Sequence, residues 1–169
     1  MEDDPFTIDI VYLGAELRPG RPQDRPDFGL PVFRHDHDEL HGQCLRAVAR
    51  REELYPALIA AGRMDSEDAD RDLVAWRELA AEWLWVCTGE GDLPHSATLP
   101  NRIAAIELAA DRLEAELARG RRTEANLYQH HLLEALHWHC RPERRTHFYA
   151  DLTRTLRAEL RAASERKAA

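Results

Sequence analysis

Apolar positions along this chain follow two different periods. Near the start, "PFTIDIVYLGAEL" alternates Phe6, Ile8, Ile10 and Tyr12 with Thr7, Asp9, Val11 and Leu13. That period of two is strand periodicity, with apolar residues on both faces. "RPGRPQDRPDFGLP" follows, with four prolines and two glycines between Pro19 and Pro31, an extended and turn-rich stretch. "LPVF" then supplies a second short strand. Because a two-stranded ribbon is marginal alone in water, residues 1–35 are expected to form an extended β arm that lies on helices or pairs with another chain.

Beyond residue 36 the period becomes helical. The first helix is predicted from about Asp38 to Ala61, stopping at Gly62, with Pro56 kinking or dividing it. The second starts at Asp65 or Ser66, carries Glu67, Asp68 and Asp70 in its first turns, and ends near Thr88. A third opens at "TLPN", where Thr98 can cap and Pro100 suits the first turn, and closes at Gly120. The fourth runs from Thr123 to Cys140, and the fifth from Pro142 to about Glu165.

Helical phase sorts each helix into faces. One stripe joins Ile103, Ile106, Ala110, Leu113 and Leu117; others join Leu73, Trp76, Ala80, Trp83 and Cys87, or Ala125, Tyr128, Leu132 and Leu136. The fifth helix aligns Tyr149, Leu152, Leu156 and Leu160. Long amphipathic helices with short loops predict a mainly α protein: an antiparallel bundle of four to five helices with an extended N-terminal β arm, in a single domain of residues 1–169.

Charge refines this picture. The net charge of -8 argues against attraction of the whole molecule to nucleic acid or an anionic membrane. Acidic residues crowd the first 39 positions, whereas Arg154, Arg157, Arg161, Arg166 and Lys167 make the last helix basic. The excess of Ala and Arg reads as the codon signature of a GC-rich bacterium. Three scattered cysteines without a CxxC pair fit a reducing cytoplasm. No secretory leader is evident, and no apolar run approaches the roughly 20 residues of a membrane span.

Candidate chemistry concentrates in "FRHDHDELHGQC". With a helix starting at Asp36 or Asp38, His37, His41 and Cys44 share a side with Leu40, Val48, Tyr55 and Leu58. Two imidazoles and a thiolate within two turns suit zinc, provided that a fourth ligand comes from elsewhere; His139 and Cys140 are the candidates. The competing reading is a capped helix start with a histidine-bearing edge, and it carries the greater weight. Two acidic-x-x-His motifs, Asp38/His41 and Glu134/His137, suggest a di-metal carboxylate bundle, with Glu78, Glu82, Glu107 and Glu114 available. Phase places His130, Glu134 and His137 opposite the Leu132/Leu136 stripe, facing water, whereas ligands of a buried centre must point inward.

Nucleophile elbows and phosphate-binding glycine loops are missing, and Ser66, Ser96 and Ser164 lack an activating context. Cys44 beside His41 is the only candidate for an activated thiol. Trp85 points away from the Trp76/Trp83 face, which makes it a candidate contact residue unless the fifth helix or the arm covers it. The leading expectation is a non-enzymatic interaction or assembly protein that binds a protein partner or itself through the arm, Trp85, Arg154, Arg157 and Arg161. A metal-binding helical protein holding zinc or iron, with or without enzymatic activity, is second. A nucleic-acid accessory protein using the basic helix is third.

Overall fold

The computed structural model describes residues 30–168, which contain five α-helices and two 3-10 turns. The helices are α1 (His37–Ala60), α2 (Ser66–Thr88), α3 (Leu99–Ala118), α4 (Glu124–His139) and α5 (Thr146–Ala168). No strand occurs among the described residues, and no helix there is long and apolar enough to cross a membrane. Nearly all of the expected β arm lies outside the described residues. Its last piece, Leu30–Phe33, does not form the expected strand. Val32–His35 make a turn instead, closed by Arg34 N–H to the Pro31 carbonyl (3.4 Å) and Asp36 N–H to the Phe33 carbonyl (3.1 Å).

Local chemistry explains most boundaries. The Asp65 carboxylate accepts from the amides of Glu67 (2.8 Å) and Asp68 (3.4 Å), satisfying two donors that the start of α2 leaves open. Thr123 does the same for Asn126 N–H at 3.2 Å, opening α4. Gly62 and Gly120 take positive φ, 65° and 87°, just past α1 and α3, where a side chain would be strained.

Four expectations change. Asp36 sits at the N-cap of α1, but its side chain makes no cap bond. Pro56 does not divide α1, which continues through it from His37 to Ala60. Thr98 does not cap α3; its hydroxyl donates to the His95 carbonyl (2.9 Å) within a 3-10 turn, Ser96–Thr98. The fifth helix starts later than Pro142, which begins another 3-10 turn; Arg145, at φ 51°, breaks the path before α5.

Pro31–His147 forms one compact unit, built on α1–α4. Each helix packs on the next, and α4 returns to α1. Cross-helix pairs show antiparallel neighbours. Arg51 and Tyr55, late in α1, reach Asp72, early in α2, while His37 packs on Trp83 at the far ends. Glu107 meets His137 and Glu114 meets His130 between α3 and α4. Trp76, Leu40, Leu79, Ile106, Leu132, Leu133 and Leu136 are wholly enclosed; burying one such aliphatic side chain contributes about 1.5–3 kcal/mol.

The core also holds a polar clamp. Asp72 accepts from Arg51 Nε (2.5 Å) and from the Tyr55 hydroxyl, and the Arg51 guanidinium lies 4.6 Å from the Trp76 ring centroid. This clamp turns the face of α2. Its buried line runs through Ala69, Asp72, Trp76, Leu79, Trp83 and Val86 rather than through Leu73, Ala80 and Cys87, which stay half-buried.

Phe148 and the residues after it belong to a second compact unit. In it the predicted stripe of α5 forms, but its residues are exposed: Tyr149 52%, Leu152 41%, Leu156 39% and Leu160 47%.

Candidate functional site

The helix-start cluster leads into a polar pocket of the four-helix unit. The His37 ring lies 5.6 Å from Trp83 and 5.8 Å from His139, with His139 itself 4.9 Å from Trp83. A small recess beside them is lined by Glu82, Trp83, Leu136, His139, Cys140 and Thr146. Here the start of α1, the late turns of α2 and the end of α4 meet through the rings of His37, Trp83 and His139.

His139 is fully committed in this pocket. One ring nitrogen, Nε2, lies 2.7 Å from the Arg34 carbonyl, and the other, Nδ1, lies 2.8 Å from the Thr146 hydroxyl. A carbonyl only accepts, so the neutral ring carries its proton on Nε2, and Thr146 donates to Nδ1. Burial drives the His139 pKa down to about 4, although the bond to Arg34 pulls the other way; His37, His35 and Arg144 add to the lowering. Accepting a metal would require His139 to surrender one of its bonds.

The thiols are similarly quiet. Cys44 is wholly buried, and desolvation, followed by the nearby charge of Glu82, raises its pKa well above that of a free thiol. Cys140 is pushed up to about 12, again chiefly by burial, and its Sγ–H donates to the Leu136 carbonyl at 3.4 Å. A thiolate is the form that attacks or ligates, and this environment disfavours it. His41 is half-buried on α1. Donor atoms of His37, His41, Cys44, His139 and Cys140 do not gather as a ligand set. Among the described residues, the metal-ligating trio whose donor atoms come within 4.8 Å of one another is His130, His131 and Glu134. The sequence reading noted His130 and Glu134 but passed over His131.

Trp85 is half-buried, with its ring 5.7 Å from that of His147 in an edge-on contact. His147 in turn holds Glu82 through Nε2 (2.7 Å), and Glu82 lies 3.5 Å from Arg102, a guanidinium only 3% exposed. A chain of polar groups therefore links α2, α3 and His147 beside Trp85, all within the Pro31–His147 unit. On α5, Arg154 is half-buried and pairs with Asp151 at 3.6 Å; Arg157 is also half-buried, and Arg161 is exposed.

Comparison with known proteins adds no relative: no family model, no curated protein and no solved structure matches the chain.

Proposed function

We propose that this chain is a non-enzymatic interaction protein that assembles with a second copy of itself, with α5 as the contacting helix. The observation that carries the reading is the exposed stripe of Tyr149, Leu152, Leu156 and Leu160, spaced as helix-in-groove and helix–helix anchors are. Arginines 154, 157 and 161 lie on the same helix. The complementary chemistry exists within the sequence: the first 16 residues combine apolar Phe6, Ile8, Ile10 and Tyr12 with acidic Glu2, Asp3, Asp4, Asp9 and Glu16. Opposite charges speed and orient such an encounter, while buried apolar area holds it. Three free cysteines accord with a reducing, cytoplasmic setting.

Two observations weigh against the competing readings. The occupied nitrogens of His139 and the protonated thiols leave a centre on His37, His41 and Cys44 with weak ligands. Arg154 spends part of its charge on Asp151, and the net charge of -8 opposes nucleic acid.

Light scattering on the full chain tests the proposal. A dimer or larger species is expected, converted to monomer when Leu152 and Leu156 both become Glu, with helical circular dichroism retained. A native chain that stays monomeric at about 100 μM, a concentration that would populate most micromolar dimers, overturns it.

A further inference from the structure

The α3–α4 seam presents a second cluster, remote from the exposed stripe of α5 in sequence and unlike it in chemistry. We propose that His130, His131 and Glu134 bind one divalent transition-metal ion, with Zn²⁺ as the natural occupant.

Convergence is the first argument. Nδ1 of His131 lies 2.9 Å and Nδ1 of His130 3.7 Å from the same oxygen, Oε2 of Glu134. Zinc bonds to nitrogen and oxygen of about 2.0–2.2 Å put tetrahedral ligand atoms about 3.3–3.6 Å apart. The two distances bracket that span, and no pair in the trio exceeds 4.8 Å. Closing the set needs side-chain rotation and the exchange of the His131 Nδ1–Glu134 hydrogen bond (2.9 Å) for two metal bonds, with α4 itself unchanged.

The second argument comes from the opposite helix. Oε1 of Glu114, on α3, lies 3.2 Å from Nε2 of His130. A neutral His130 donates its Nε2 proton to that carboxylate, which turns the bare Nδ1 lone pair toward Glu134. This is the carboxylate–histidine–metal arrangement, in which an outer carboxylate fixes the tautomer and makes the ring a better ligand. It also leaves a lone pair facing a carboxylate oxygen, an unfavourable pairing that a cation between them reverses.

The surroundings favour a metal. Phe33 lies beside His131, with ring centroids 6.4 Å apart, and is itself packed edge-on against Tyr128 at 4.9 Å. Tyr128 is pinned by donating to Glu39 at 2.7 Å. One ligand therefore has a restrained ring beside it. Side-chain exposures of 20% for His130, 44% for His131 and 47% for Glu134 leave an approach from solvent. Two imidazoles and one carboxylate form the open kind of zinc set, whose fourth position takes water or a group from another molecule. Imidazole–carboxylate sets select borderline ions over Ca²⁺ and Mg²⁺.

His137 provides an internal control. It sits farther along the same helix with its own carboxylate, Glu107, 3.1 Å from Nε2, yet lies outside the trio. The test is titration of the chelator-stripped full chain with ZnCl₂ by calorimetry, together with thermal melts. One equivalent of Zn²⁺ should bind and raise Tm. His130→Ala and Glu134→Ala should each abolish binding, Glu114→Gln should weaken it about 10-fold or more, and His137→Ala should leave it unchanged. Co²⁺ in place of zinc should give visible absorption without the sulfur charge-transfer band of a thiolate ligand. The proposal fails if His130→Ala binds as the native chain does, if His137→Ala loses as much as His130→Ala, if the sulfur band appears, or if no heat of binding is seen with millimolar zinc. Circular dichroism of each variant separates lost ligands from lost fold.

Discussion

α3 and α5 carry the same kind of apolar stripe and meet different fates. On α3, Ile106 and Leu113 are 0% and 8% exposed; on α5, Leu152 and Leu156 of its own stripe are 41% and 39% exposed. Periodicity records which face of a helix is apolar. It does not record what covers that face. α3 has α2 and α4 as neighbours in sequence and in space, so short loops deliver its partners. The stripe of α5 retains its exposure, and this contrast is why α5 serves as the interaction element proposed above.

The strongest way to break the comparison is to attack the enclosed side. Trp76→Ala removes the largest wholly buried side chain and should cost about 3–5 kcal/mol, read as a fall in the urea midpoint followed by circular dichroism. Asp72→Ala should cost a similar amount, because it strands the Arg51 guanidinium, 11% exposed, and the Tyr55 hydroxyl without their acceptor. A loss below about 1 kcal/mol in both would mean that the enclosed face is no better supported than the stripe of α5.

Acid should weaken the same interior. His139 is held neutral with its pKa near 4 when folded, against 6.5 for the free side chain. The unfolded chain therefore takes up a proton that the folded chain refuses. Above about pH 6.5 the two states match and nothing is lost. Between about 6.5 and 4 the unfolded state gains, up to about 3 kcal/mol at the lower limit. Unfolding free energies of the native chain and His139→Gln, measured from pH 7 to 4, should converge as pH falls. A constant gap across that window would show that His139 is not the group responsible.

Much of the fold was legible beforehand, and the misses share a cause. Asp65 and Thr123 announced the starts of α2 and α4 because a cap acts over three residues, a range that sequence displays directly. The face of α2 was misplaced because Asp72, a carboxylate, looks solvent-facing until Arg51 and Tyr55 arrive from α1. At the candidate sites the same limit applies. "HHLLE" displayed His130, His131 and Glu134 plainly, but Glu114, the residue that orients His130, arrives from the preceding helix. His37, His41 and Cys44 all lie in the first turns of α1, but their donor atoms do not converge with those of His139 and Cys140. What sequence could not supply was the pair of partners that hold both nitrogens of His139.

A smaller effect probes helix starts. Thr123→Ala deletes the acceptor for Asn126 N–H and should cost about 1 kcal/mol in the same urea assay. An unchanged midpoint would mean that packing alone, not the cap, sets the start of α4.

The smallest effect on the isolated chain is the most informative about α5. Leu156→Ala trims a side chain that is already 39% exposed, so at low protein concentration it should shift stability by less than about 0.5 kcal/mol. A surface that associates behaves differently when the chain is concentrated, because assembly adds to stability by mass action. Native Tm should therefore climb between about 1 and 100 μM, by the few degrees that about 1 kcal/mol gives a chain of this length, while Leu156→Ala should climb less. Equal slopes would place Leu156 outside any contact. A large loss at 1 μM would instead mean that the stripe is already engaged within a single chain, and α5 would then belong with α3 on the enclosed side of the comparison.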